Sequence, residues 1–388
     1  VKILQLVSCR GWSSDAYWAA RVSSELERRG HAVVLGCRAG TEQRVIERAR
    51  AEGVTRTTTF AFTGGVHPRA DLDDTRRLAR AFAGTDIVHV HRGKEHWLAA
   101  IANRLTTAPR PLVRTRHIVQ AVRPHAGNRW LYRHATALVV TVSDAIRRQY
   151  LAAGLLGPEQ LVAIPGGADV GLYRPGPADP GIRAAIGGAG AKVLVGLVAG
   201  LRIMKAHDVV IDAARTLQES DTAWTFVGRG SRESAVREAI ARHGLEQRIT
   251  IAGFVDDVPA VMRALDIGLY VSLESEGMSR VVFEYLAAGV PLIASRVGVV
   301  PEILADGEHA LLVPAADVRS LAEAVSALAG DPARRARLAD AGRRLVVEQY
   351  SGARVAERLE ARYDALLNGP RSAPAPSVSD VSAGPQRT

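Results

Sequence analysis

One pattern governs what this chain can fold into: short apolar runs alternate with segments of helical spacing, and the series occurs twice. It begins with "ILQLV" at residues 3–7, passes through "SDAYWAARVSSELERRG" as a helix ending at Gly30, and returns to an apolar run in "HAVVLGC". Strand, helix and strand in this order make the unit of a parallel sheet, because parallel neighbours need a long crossover. "TDIVHVH", "PLVRTRH" and "ALVVTVS" extend the series, each followed by a helix-compatible segment. From residue 165 to 190 the texture changes to "PGGADVGLYRPGPADPGIRAAIGGAG", whose Pro and Gly suit a linker and turns. A second series follows, with "KVLVGLVAG", "AWTFVGRG", "RITIAGF", "LDIGLYVS" and "VPLIAS" as strands. The expectation is an α/β fold of two Rossmann-like halves. At 388 residues the chain is long enough to give each half its own core.

Composition narrows the function classes. The net charge is +10, and lysine occurs only at Lys2, Lys94, Lys192 and Lys205, so arginine carries most of the positive charge. A basic surface attracts phosphorylated substrates, anionic lipid or nucleic acid; no nucleic-acid motif or basic-aromatic platform accompanies it, which argues against nucleic acid. Arginines at 114, 116, 123, 129, 133, 147 and 148, with Trp130 and Tyr132 among them, make a candidate surface for a lipid-linked or phosphorylated glycan; a solvated arginine-rich face is the alternative. Cys9 and Cys37 are the only cysteines, too few for a disulfide framework, which fits a reducing cytoplasm. "VKILQLVS" is shorter than a signal-peptide core, and no stretch reaches the ~18 apolar residues of a membrane span. Any membrane association is expected to be peripheral, and the protein cytoplasmic.

The stretch "EGMSRVVFEYLAAGVPLIAS", residues 276–295, places Glu276 and Glu284 around an apolar run. "RVVFEYLAAG" reads as a helix closed by Gly289, with Pro291 opening the next strand. Glu276 precedes that helix and Glu284 lies about one turn inside it. Between them, Gly277, Met278 and Ser279 offer free backbone amides and a positive dipole end to an anion. The pair also stands at the carboxyl end of a strand, where open α/β sheets bind ligands. Arg202 and Lys205 in "LRIMKAHD" oppose a helix dipole at another strand end, an arrangement that favours an anion between them. Asp256 and Asp257 in "GFVDDVPAVM" read as a helix start. His89, His91 and His96 have no carboxylate or cysteine cluster beside them, so no metal site is expected.

These motifs resemble the retaining GT-B glycosyltransferases of family 4, whose signature is a Glu, seven residues, a second Glu, a small-residue stretch, then Gly and Pro. The resemblance covers residues 1 to 367. It implies domains facing a central cleft, with 1–168 binding acceptor, 169–345 binding a nucleotide-sugar, and a helix in 346–367 crossing back onto the first; 368–388 is expected to be a disordered tail. By resemblance Glu276 contacts the donor hexose and Glu284 the ribose, while Arg202 and Lys205 bind the diphosphate and stabilise the departing nucleotide. Phe254 and Val255, in "GFV", lie beside the nucleobase in that scheme, and His117 faces donor sugar and acceptor. Ser14 sits where many relatives have a glycine-rich phosphate loop, replaced here by Ser13, Ser14 and Asp15; Ala206 and Gly166 replace a common Gly and an Asn. The implied activity is metal-independent transfer of a hexose from a nucleotide-diphosphate sugar to a glycan or lipid-linked acceptor with retention, in cell-envelope polysaccharide or lipopolysaccharide biosynthesis. A nucleotide-sugar epimerase or phosphorylase of the same fold, and a non-catalytic sugar-nucleotide or glycan-binding module, remain alternatives.

Overall fold

The protein is described by a computed structural model covering residues 1–217, 220–274 and 277–369; Glu276 and the expected tail from 370 lie outside the described residues. The first sheet has strands β1 Lys2–Val7, β2 Ala32–Arg38, β3 Thr57–Phe60, β4 Ile87–Val90, β5 Leu112–Arg116, β6 Leu138–Thr141 and β7 Leu161–Ala163. Their order is β3-β2-β1-β4-β5-β6-β7, and every pairing is parallel. The second sheet comprises β8 Val193–Val198, β9 Thr222–Val227, β10 Ile249–Gly253, β11 Ile267–Tyr270, β12 Leu292–Ser295 and β13 Leu311–Val313, ordered β10-β9-β8-β11-β12-β13 and again parallel throughout. In both sheets the order reverses beside the first strand, which opens a crevice at the strands' carboxyl ends.

The helices of the first half are α1 Ser14–Arg28, α2 Glu47–Ala51, α3 Pro68–Phe82, α4 Gly93–Arg104, α5 Ala126–Trp130 and α6 Asp144–Ala152. The second half has α7 Pro180–Ala185, α8 His207–Thr216, α9 Glu233–Arg242, α10 Val258–Arg263, α11 Arg280–Ala287, α12 Val300–Ile303 and α13 Val318–Gly330, followed by α14 Pro332–Gln349 and α15 Gly352–Asn368. Local chemistry sets their ends. Asp257, Asp317, Asp331 and Ser351 each accept a backbone N–H of the first turn of α10, α13, α14 and α15, satisfying a donor that the helix leaves unpaired. Asp257 therefore does what its sequence position predicts.

α1 buries Tyr17, Trp18, Val22 and Leu26 against the first sheet, each such side chain contributing ~1.5–3 kcal/mol. The chain then returns: α14 packs on α11 through Gly342 against Leu286, and α15 comes back to the first half, where Glu360 accepts from Arg29 and pairs with His31, and Tyr363 bonds His89.

Three features differ from the sequence expectation. The Pro- and Gly-rich stretch after residue 165 carries α7, and it contributes Tyr173 and Ile186 to the second core. β3, β7 and β13 form in addition to the expected strands. In the arginine-rich region, Arg114 and Tyr132 are buried rather than displayed, while Arg129 and Arg133 are exposed.

Candidate active site

The carboxyl ends of both sheets meet. His117, just past β5, presents its carbonyl oxygen to Gly277 in the loop after β11 so closely that a Cβ at Gly277 would overlap it. Gly277 has φ +89°, a conformation that glycine alone adopts without strain. Met278 is buried among the apolar side chains of the first half and occupies the space that a side chain at Gly166 would need. Arg280, the first residue of α11, stacks over the Tyr17 ring of α1 at 4.4 Å. Glu302 completes the junction by accepting the Asp144 and Ala145 N–H groups at 2.7 and 2.8 Å, capping α6 from the opposite half.

Lys205 and Ser279, two of the residues expected to hold the donor, are linked here through Tyr270. Lys205 ends a short 3₁₀ turn, Ile203–Lys205, whose N-cap is Arg202. The turn is tied to the loop after β11 by Leu273 N–H donating to the Met204 carbonyl at 3.0 Å. Lys205 Nζ lies 5.5 Å from the Tyr270 ring centre, and Tyr270 shares a 2.6 Å hydroxyl bond with Ser279. Ser279 is the N-cap of α11, and Ala206 that of α8; both have φ near +50°, the left-handed region where most side chains are strained. Two such residues, each beside a helix start in the same crevice, place backbone amides where an anion binds. Arg202 is exposed.

Glu284 is 2% exposed, so it is no surface helix residue. Burial pushes its carboxyl up, opposed by Arg280 and by a Tyr173 hydroxyl. Its Oε1 is itself buried and lies 2.9 Å from Arg280 Nε, an ion pair without a well-aligned hydrogen bond. Phe254 is 53% exposed, with the Arg229 guanidinium 6.0 Å from its ring, and Val255 packs on the second core. Ser14 is exposed at the start of α1. Sequence reasoning missed Tyr17, Tyr173, Tyr270 and Arg280. Tyr270 reads as one more apolar strand residue and Arg280 as a solvated helix charge, so only spacing from Glu284 could have flagged Arg280.

A polar chain runs beneath the site. His91 bonds Gln5 Oε1 through Nε2 at 2.7 Å and His117 Nε2 through Nδ1 at 3.0 Å, all under the Trp18 ring. If the Gln5 oxygen accepts as placed, His91 Nδ1 is unprotonated, His117 donates through Nε2, and His117 Nδ1 is a lone-pair acceptor; that atom is buried without a partner. Asp15 faces this chain. Burial alone would raise its carboxyl, but the hydrogen bonds from Arg92 and Ser13 hold it well below the usual range. His89, His91 and His96 are driven well below 6.5 by burial, and His117 to about 4. Among the described residues no group of three or more His, Cys, Asp or Glu is arranged to hold a metal ion.

These depressed values set a pH dependence. A histidine whose folded value lies below its unfolded 6.5 contributes stability that is complete above pH 6.5 and is lost as the pH falls, about 1.4 kcal/mol per unit for each. Glu95 and Glu284, raised by burial, act in the opposite sense near their own range, but they are outnumbered. Denaturant unfolding at pH 7.5, 6.0 and 5.0 should show falling stability; a constant midpoint would show that these histidines titrate alike in the folded and unfolded states.

Sequence comparison agrees with this geometry. A family model described as Glycosyl transferases group 1 matches residues 192–331, and one described as Glycosyltransferase Family 4 matches 16–172. The D-inositol 3-phosphate glycosyltransferase of Nocardia farcinica is 30% identical over 75% of this chain and 69% of its own. The chain belongs to glycosyltransferase family 4. A second relative, the lipopolysaccharide core biosynthesis mannosyltransferase LpcC of Rhizobium leguminosarum bv. viciae, is 29% identical over 73% of this chain and 79% of its own. A glycosyltransferase crystal structure from Rickettsia africae superposes with a TM-score of 0.83 at 19% identity, over 95% of this chain and 99% of the other, which shows the GT-B fold. As a family 4 member the protein is a glycosyltransferase. Among the described residues no helix is long and apolar enough to cross a membrane.

Proposed function

We propose that this glycosyltransferase moves a hexose from a nucleotide-diphosphate sugar to a glycan or lipid-linked acceptor, with retention at the anomeric carbon and without a metal ion, in assembly of a cell-envelope glycan. The observation that carries the reading is the convergence of Lys205, Tyr270, Ser279 and the start of α11 on one crevice. As the glycosidic bond breaks, negative charge grows on the leaving diphosphate; Lys205, Arg202 and the α11 amides are placed to stabilise it, and preorganised charges act mainly on the transition state. These cations supply the neutralisation that a metal ion gives in other transferases. Glu284, on α11, gives its carboxylate to a ribose hydroxyl when the donor binds. Glu276 takes the hexose, and Phe254 and Val255 flank the base. His117 Nδ1 accepts from a hydroxyl of the transferred sugar or the acceptor. Retention follows from same-face attack, in which the leaving phosphate oxygen receives the acceptor proton. The lipopolysaccharide core mannosyltransferase among the relatives supports a hexose donor and an envelope acceptor; in this reading the reaction takes place at the cytoplasmic face of a membrane.

Binding and hydrolysis of uridine, guanosine and adenosine diphosphate sugars, with metal chelated, test the reading. One nucleotide should bind, and Glu284→Gln should weaken it at least about tenfold, the worth of a charge-assisted hydrogen bond. Absence of binding to all of them, or binding only after a divalent ion is restored, overturns it.

A further inference from the structure

A second cavity opens on the first half, at the carboxyl tips of β1, β2 and β3 and the start of α4, with a volume of about 430 Å³. Ligand pockets fall in this range. Four cations line it, Arg10, Arg38, Arg92 and Lys94, and no carboxylate does. Two of them are neutralised from behind: Arg92 by Asp15, and Lys94 by Asp71. The guanidiniums of Arg10 and Arg38 have no ion-pair or hydrogen-bond partner among the described residues. Two guanidiniums without a counter-charge thus line one concavity, an electropositive setting that attracts an anion.

The wall opposite is rigid. The loop after β3 begins with Phe62 at φ +37°, an uncommon conformation for a bulky residue. Asp74, fully buried on α3, fixes it by accepting the Ala61 and Phe62 N–H groups at 2.9 and 2.8 Å. The loop continues to Gly64, where a Cβ would lie 2.5 Å from Arg10 Nη2, so the absent side chain lets the guanidinium rest against backbone. Trp12 forms another wall. The cavity adjoins the donor crevice: Trp12 in its lining meets the Tyr17 ring edge-on at 6.3 Å, and Tyr17 in turn carries Arg280 of α11 on its face.

Resting on the transferase reading, we infer that this cavity holds a phosphate group of the acceptor, gripped by Arg10 and Arg38 while an acceptor hydroxyl reaches the donor crevice. Guanidinium forks pair two donors with two oxygens. Two forks offer four donors, which a tetrahedral phosphate engages along two edges; a planar carboxylate presents one edge. The phosphate comes either from a soluble phosphorylated sugar or polyol or from a lipid headgroup.

Tryptophan fluorescence provides a local readout. Titration of the full chain with inorganic phosphate should give a saturable change that disappears in Trp12→Phe. Arg10→Ser and Arg38→Ser should each raise the phosphate Kd at least tenfold, Arg38→Lys should raise it less, and Lys205→Ala should leave it unchanged. Glycerol 3-phosphate that competes with phosphate points to a soluble acceptor. If phosphatidylglycerol vesicles also compete, and phosphatidylcholine vesicles do not, the headgroup is admitted. No Trp12-dependent change with phosphate, or one indifferent to both arginines, overturns the inference, as does a response to vesicles alone, which assigns the charge to a membrane surface. Nucleotide-sugar binding by the same variants keeps the two ideas separate. Arg10→Ser should retain it, whereas a wild type that binds phosphate at Trp12 but no nucleotide-sugar fails the transferase reading alone.

Discussion

Lys205→Ala is expected to lower kcat by about two to three orders of magnitude, the usual loss when one preorganised charge is removed from a developing anion. The acceptor KM should hardly move, because the lysine belongs to the turn tied to the loop after β11 rather than to the first half. Arg202, exposed at the N-cap of the same turn, is better solvated and should cost about tenfold. Single-turnover rates with saturating donor separate chemistry from release. A loss below tenfold for Lys205→Ala would place the leaving-group charge on the α11 amides instead.

Gly277→Ala should be nearly as damaging, by a different route. The added methyl overlaps the His117 carbonyl oxygen, and the backbone is left-handed at φ +89°, which costs about 1–3 kcal/mol for a side chain. His117 is fixed by β5 and its bond to His91, so the loop must retreat and carry Met278 and Ser279 with it. Misplacing a binding loop by about 1 Å loses on the order of 100-fold in rate. We expect a lowered melting temperature with unchanged secondary structure by circular dichroism, together with that loss in kcat. Wild-type turnover would mean that the two halves separate at this point during the reaction.

Much of the architecture was legible because it rests on local pattern. "VLVGLVAG" and "LDIGLYVS" became β8 and β11 because fully buried parallel strands read as continuous apolar runs. β3 escaped notice because its sequence is three threonines and a phenylalanine, and β7 and β13 because they are three residues long. The spacing of Glu284 located α11, but not what buries it: the Tyr17 ring over Arg280 comes from α1, and no sequence period links the two. Arg114 illustrates the reverse error. An arginine among arginines looks solvated, yet it shares β5 with Val113 and Thr115 in the interior.

The hydroxyl of Tyr363, near the end of the chain, bonds the buried ring of His89, which in turn bonds Thr115 at the centre of the first sheet. α15 therefore completes the core of the first half through its buried face. A first half cut off at the Pro- and Gly-rich stretch would face water with an opened polar seam, and a chimera that exchanges second halves between relatives must leave residues 352–368 with their native sheet. On the ribosome, that sheet stays unsealed until residue 363 has emerged.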